Sequence, residues 1–208
     1  MDIEGDVERA ISAVKAGRPA LLPTDTVYGL VTSAAREDYA AGVYRLKGRE
    51  ERQPTALLTS SLALLFDCVP ELRGPAAVIA QTLLPGPFTL ILPNPARRFR
   101  WLTGTNPDAI GVRVPELPEP SRLVVDAAGC LLATSANDPG GPDPATLGDV
   151  PQRIRDACAA ELDVGTLPGT PSTVIDFTGD EPHVIREGAA PAAEALARVE
   201  AALAAQRA

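Results

Sequence analysis

Val7, Ile11 and Val14 recur at helical spacing between Asp6 and Ala16, and Gly17 follows, so the chain is expected to open with an amphipathic helix. Leu21-Leu22 and the run from Val27 to Thr32 read as two strands. Tyr39, Val43 and Leu46 share one face of a helix over Arg36 to Leu46, with Gly48 as its stop signal. A strand over Thr55 to Thr59 and helices over Leu62 to Phe66 and Ala76 to Leu84 follow. Pro85-Gly86-Pro87 breaks the pattern before a strand at Phe88 to Leu92. Residues 93–109, rich in Pro, Arg and Asn, read as a long loop ahead of a strand at Ile110 to Val114. Ser121 to Ala128 is a predicted helix and Leu131 to Ala133 a buried strand. Residues 136–151 are rich in Gly, Pro and Asp and read as a mobile loop, because patterned elements resume on both sides. Gln152 to Ala160 is expected to be helical. Strands are expected at Glu161 to Val164, Thr173 to Phe177 and His183 to Arg186, and a last helix at Ala192 to Gln206.

Helices and strands are mixed, but their spacing is too irregular for a clean βαβ repeat, which predicts an α/β fold with a mixed sheet. At 208 residues and 45% hydrophobic content the chain suits one domain over 1–208, with its motif-bearing core at about 6–190 and a C-terminal helix at 192–206. No apolar run approaches the roughly 20 residues of a membrane span. The acidic start, Met1-Asp2-Ile3-Glu4-Gly5-Asp6, lacks the layout of a signal peptide, so the expected compartment is the cytoplasm.

A net charge of −8 argues against a general nucleic-acid binder, although one pocket can be basic on an acidic surface. Cys68, Cys130 and Cys158 are far apart and odd in number, against a disulfide framework or a zinc site, and Cys130 reads as a core residue. The single histidine, His183, sits at a plain strand start, so a mechanism built on a histidine base is not expected.

Candidate chemistry gathers at the ends of these strands. Pro23-Thr24-Asp25-Thr26-Val27-Tyr28-Gly29-Leu30 puts two hydroxyls, a carboxylate and a phenol on a strand-ending turn, and the same residues would also make an ordinary capped turn. Lys47-Gly48-Arg49 places two cations at a helix end. They are either favourable charge on a helix C-terminus or a phosphate clamp. Ser135 and Asn137, after a buried strand, are neutral donors to phosphate or caps of a turn. Arg113 lies inside an apolar strand and needs an anionic partner, which a bound carboxylate or a structural Asp or Glu would supply. Thr89, Ser172 and Arg186 stand in similar polar turns and strand exits, and no residue set is read as a metal site. P-loop, dinucleotide-fingerprint and zincin motifs are absent.

Taken in order, PTDTVYGL, LKGR, LPGPFTLIL, GVRVPE, ATSAN, PSTVIDF and VIREG resemble the threonylcarbamoyl-AMP synthase family, the YrdC-like proteins, over residues 23–188. The resemblance implies a twisted open α/β sheet with a concave basic pocket. It implies joining of L-threonine, bicarbonate or carbon dioxide, and ATP with Mg²⁺ into threonylcarbamoyl-AMP and pyrophosphate. A downstream tRNA-modifying transferase machinery would then act on adenosine 37. By the same resemblance Lys47 and Arg49 would hold ATP phosphates as the catalytic cations, and Thr89, Ser135, Asn137 and Arg186 would complete the nucleotide site. Thr24 or Thr26, with Arg113 and Ser172, would surround threonine. The chain departs from the pattern at Glu50 and Glu51, where proline commonly follows the cations. Two carboxylates there weaken a phosphate clamp unless they face solvent or hold Mg²⁺. It also has no histidine near Leu58, and Asp138-Pro139-Gly140-Gly141 follows the SAN segment. Two alternatives stand beside the enzyme. One is a paralogue with the same nucleotide pocket and another substrate. The other is an RNA-binding module for duplex RNA or tRNA, which the acidic charge and 4% aromatic content oppose.

Overall fold

A computed structural model describes residues 2–48 and 53–207. Helix α1 (Ile3–Lys15) starts earlier than its apolar spacing suggests, because the Asp2 side chain caps it by accepting from the Gly5 amide at 3.1 Å. Strands β1 (Ala20–Pro23) and β2 (Tyr28–Ser33) form a hairpin. Helix α2 (Glu37–Lys47) ends where Gly48 takes a left-handed conformation (φ 64°), the backbone state that glycine adopts most easily. Next come β3 (Ala56–Leu58), α3 (Leu62–Cys68), α4 (Pro75–Leu83) and β4 (Phe88–Pro93). A single 3₁₀ turn, Arg100–Leu102, interrupts the long loop before β5 (Ala109–Arg113). The chain continues through α5 (Glu119–Ala128), β6 (Leu131–Ser135), α6 (Gln152–Ala157), β7 (Ala160–Glu161), β8 (Thr173–Asp176), β9 (His183–Arg186) and α7 (Ala192–Arg207).

The strands form one mixed sheet in the order β7-β1-β2-β6-β3-β5-β4-β8-β9. The pairs β1/β7, β3/β5 and β4/β8 are parallel and the others antiparallel. Strand period two divides the core between the faces. Leu21, Leu30, Leu57 and Leu132 enter one cluster with α2, α3, α4 and α7. Leu22, Val31, Leu58 and Leu131 enter the other with α1 and α5.

Several expected elements, α6 and β7 among them, are shorter than their patterns suggested. Helix α6 stops at Ala157 because Cys158 is extended and the Ala159 amide donates to Pro19 O at 2.8 Å, drawing the chain onto the β1 edge. Strand β7 ends at Glu161, because the next residues turn around the Tyr28 hydroxyl, which accepts from the Val164 amide at 3.2 Å. Strand β6 runs two residues further than expected, with Ser135 opposite Gly29. The segment 136–151, read as a mobile loop, is held at several points. Tyr28 N donates to Pro144 O at 3.0 Å, Leu167 N to Ala145 O at 2.8 Å, and Thr146 and Asp149 cap a short 3₁₀ turn, Leu147–Asp149.

Candidate active site

Helices α1 and α5 cover only part of their face of the sheet. Over the remainder lies a cavity of about 450 Å³. Its floor is made of small residues: Ala133 on β6, Ala56 on β3 and Gly111 on β5 lie in register, and Gly29 on β2 lies beside them, opposite Ser135. Adjacent strands thus lower the sheet surface at one place. Thr24, Thr89, Ser172 and Arg113 rise from strand ends around this floor.

The turn after β1 is fixed by its own hydroxyls. Thr24 Oγ1 donates to Val27 O at 2.7 Å and accepts from the amides of Thr26 (3.2 Å) and Val27 (3.3 Å). Both threonines are buried. Arg113 reaches this turn from the end of β5, and its Nη2 donates to Asp25 Oδ1 and Thr26 Oγ1 at 2.5 Å each. Asp25 is therefore the structural carboxylate that the sequence left as one of two options. Asp25 Oδ2 and Arg113 Nε, both buried, have no hydrogen-bond partner among the described residues. The phenol of Tyr28, grouped with these residues in the sequence, points to the opposite face. It shares its hydroxyl hydrogen between Asp163 Oδ1 (2.9 Å) and Gly165 O (2.8 Å), and burial pushes its pKa up to about 12. Tyr28 anchors a loop and does not belong to the site.

On the far side of the cavity, Thr89 Oγ1 and Ser172 Oγ are 2.9 Å apart across the β4/β8 pair. Arg186 donates from Nε (3.1 Å) and Nη2 (2.8 Å) to Ser172 O. The protein atoms around its guanidinium desolvate it and lower its pKa, while Asp143 opposes that shift and Arg113 adds to it. Gly188 lets the chain cross here, since a Cβ would stand 2.2 Å from Pro171 O. That close approach is the physical content of the glycine in VIREG.

A second, polar cavity of about 350 Å³ adjoins the first, and Thr134, Ser135 and Arg186 line both. Lys47 lies in its wall with only 3% exposure. Its Nζ donates to Ser135 O at 2.5 Å and also to Asn137 O and Asn137 Oδ1. Ser135 Oγ donates to the same Asn137 Oδ1 at 2.7 Å. The ammonium at the end of α2 therefore ties the SAN turn down as well as lining the cavity. Arg49, Glu50 and Glu51 lie outside the described residues.

The structure thus brings Thr24, Arg113, Thr89, Ser172 and Arg186 together around the larger cavity, with Thr26 buried behind them against Thr24 and Arg113, and Lys47, Ser135, Asn137 and Arg186 around the smaller. Two participants escaped sequence reasoning. Arg153 donates to Leu46 O and Asp138 Oδ1, bracing the same turn from outside. Asp143 lines the polar cavity, and the sequence signal was an acidic residue held between two prolines after the SAN segment. His183 is exposed at the start of β9. Cys130 is half-buried ahead of β6, against the edge of the core rather than inside it. Among the described residues no group of three or more His, Cys, Asp or Glu is placed to hold a metal ion.

The profile of the Sua5/YciO/YrdC family, described as "Telomere recombination", matches residues 12–188. The chain belongs to this family. A family relative from Pyrococcus abyssi, named threonylcarbamoyl-AMP synthase, is 31% identical over 192 residues, which are 92% of this chain and 56% of the relative. The crystal structure of P. abyssi Sua5 complexed with L-threonine superposes with a TM-score of 0.82 at 29% identity, over 93% of this chain and 56% of that one. Escherichia coli YciO superposes with a TM-score of 0.78 at 25% identity, over 89% of this chain and 90% of its own. This chain therefore spans little more than half of the P. abyssi protein and nearly all of YciO. The α/β class and the open mixed sheet expected from the sequence are those of the family. No helix among the described residues is long and apolar enough to cross a membrane.

Proposed function

We propose that the protein is an L-threonylcarbamoyladenylate synthase. The observation that carries this reading is the continuity of two unlike cavities through Ser135 and Arg186. One has a small-residue floor, hydroxyls and an arginine, which suit an amino acid. The other has a lysine, an arginine, a serine and an asparagine, which suit phosphate oxygens. The name of the P. abyssi relative and the threonine in its crystal structure support the same assignment.

In this reading Arg113 receives the threonine carboxylate, with Thr24 or Thr26 and Ser172 around the rest of the amino acid. Lys47 and Arg49, Ser135, Asn137 and Arg186 hold the nucleotide, whereas Thr89, expected with them from the sequence, lines the amino-acid cavity beside Ser172. The threonine amine adds to carbon dioxide, forming an N–C bond and losing a proton. The carbamate oxygen then attacks the α-phosphorus of ATP, and the bond to pyrophosphate breaks. Mg²⁺, when bound with ATP, would neutralise charge on the departing pyrophosphate, and Asp143 is the one carboxylate among the described lining residues of the polar cavity that could face it. No activated nucleophile is required of the protein, which contributes positioning and charge stabilisation. The threonylcarbamoyl group would pass to adenosine 37 of tRNA through a separate transferase.

Pyrophosphate release from ATP tests the reading. It should require threonine and bicarbonate together, and release at the level of a no-threonine control would reject the proposal.

A further inference from the structure

The polar cavity holds a charge that the nucleotide reading leaves unexplained. Lys47, Arg186, Ser135 and Asn137, with Gly140 and Gly141, make a lining suited to an anion. Asp143 lines the same cavity and is the one carboxylate among its described lining residues. It is partly buried, and its Oδ1 lies 3.4 Å from the Asn137 amide nitrogen. Its field reaches the Arg186 guanidinium. Pro142 and Pro144 flank it, and the Tyr28 amide holds Pro144 O, so its backbone is constrained on both sides. A carboxylate fixed beside a triphosphate repels it. A divalent cation between them reverses that sign.

We propose that Asp143 is the protein's contact to the Mg²⁺ carried on the ATP phosphates, so that the site selects MgATP over free ATP. The inference rests on the nucleotide reading above. Mg²⁺ is commonly held by one or two carboxylates together with substrate phosphates and water, and one carboxylate beside a phosphate cavity is such a donor set.

Calorimetric titration of the full chain with ATP, in Mg²⁺ or in chelator and without threonine, tests this. Wild type, Asp143→Asn and Asp143→Ala are compared, with melting temperatures as the control for folding. Wild type should bind MgATP at least about tenfold more tightly than free ATP. In both variants MgATP binding should weaken by roughly fivefold or more while free ATP binding tightens, because the metal contact and the repulsion disappear together. Tightening of both forms would mean that Asp143 only repels phosphate, and would overturn the proposal. So would unchanged affinities, or loss of the Mg²⁺ preference in Glu50→Gln or Glu51→Gln instead. Absence of ATP binding by wild type under either condition would remove the nucleotide reading, and this inference with it.

Discussion

Arg113 and Asp25 face each other at 2.5 Å, each side chain only 11% exposed, at the rim of the cavity assigned to the amino acid. A buried pair of this kind is weak evidence for stability but strong evidence for geometry, because each charge fixes the other. The pair turns a mobile guanidinium into a placed one. Asp25→Ala should therefore destabilise the fold by about 3–5 kcal/mol, by leaving the arginine unpaired. The double variant Asp25→Asn, Arg113→Met should recover much of that loss yet bind no threonine. Urea unfolding and threonine titration on the same samples separate the two effects.

The small-residue floor makes a second prediction. Gly111 has no left-handed backbone requirement, and a Cβ there would meet only Thr55 O at 3.4 Å and Ala56 Cα at 3.8 Å. Valine suits a strand better than glycine. Gly111→Val should keep or raise the melting temperature while filling the cavity, and ligand affinity should fall by about tenfold or more, equivalent to roughly 1.4 kcal/mol. Unchanged affinity would mean that the ligand does not lie on this floor.

Lys47 should behave as a positioning residue as well as a phosphate contact. Lys47→Ala removes donors from Ser135 O, Asn137 O and Asn137 Oδ1 at once. Hydrogen bonds from charged groups contribute about 1.5–3 kcal/mol each at most, so both stability and ATP affinity should fall. Arg49→Ala should instead cost at most about 1 kcal/mol of stability while ATP binding weakens by roughly 2–4 kcal/mol, and wild-type ATP affinity in this variant would contradict its assignment to the nucleotide.

The raised pKa of Tyr28 predicts a pH dependence. Its neutral form is favoured in the folded state, so its contribution is fully present below the ordinary tyrosine pKa of 10.0 and is lost as pH rises toward about 12. Tyr28→Phe should be less stable than wild type at neutral pH and should lose less stability over that alkaline range. Chemical denaturation from pH 8 to 12 measures both.

Much of this was legible in the sequence for physical reasons. Gly48 announced the end of α2, and the strands showed themselves because alternate residues feed two separate cores, as Leu57 and Leu58 do. Arg113 announced a buried anion, but no local pattern could choose between a ligand and Asp25, because the partner lies 88 residues away. The short β7 was misread because its limits are set by long-range bonds, from Ala159 to Pro19 and from Val164 to Tyr28. Lys47 was recognised as a cation, but its engagement with the SAN turn is a tertiary contact 88–90 residues distant. Asp143 was hidden for the opposite reason, since an aspartate between prolines looks like any loop residue until the fold puts it in the lining of the same cavity as Arg186.

The most direct measurement of the central claim is the mass of the nucleotide product formed from ATP, L-threonine and ¹³C-bicarbonate in the presence of Mg²⁺. The account predicts an adenylate that contains threonine and one labelled carbon, formed together with pyrophosphate and lost in Arg113→Ala. An unlabelled threonyl adenylate, a labelled product that forms equally well without threonine, or no new adenylate at all would contradict it.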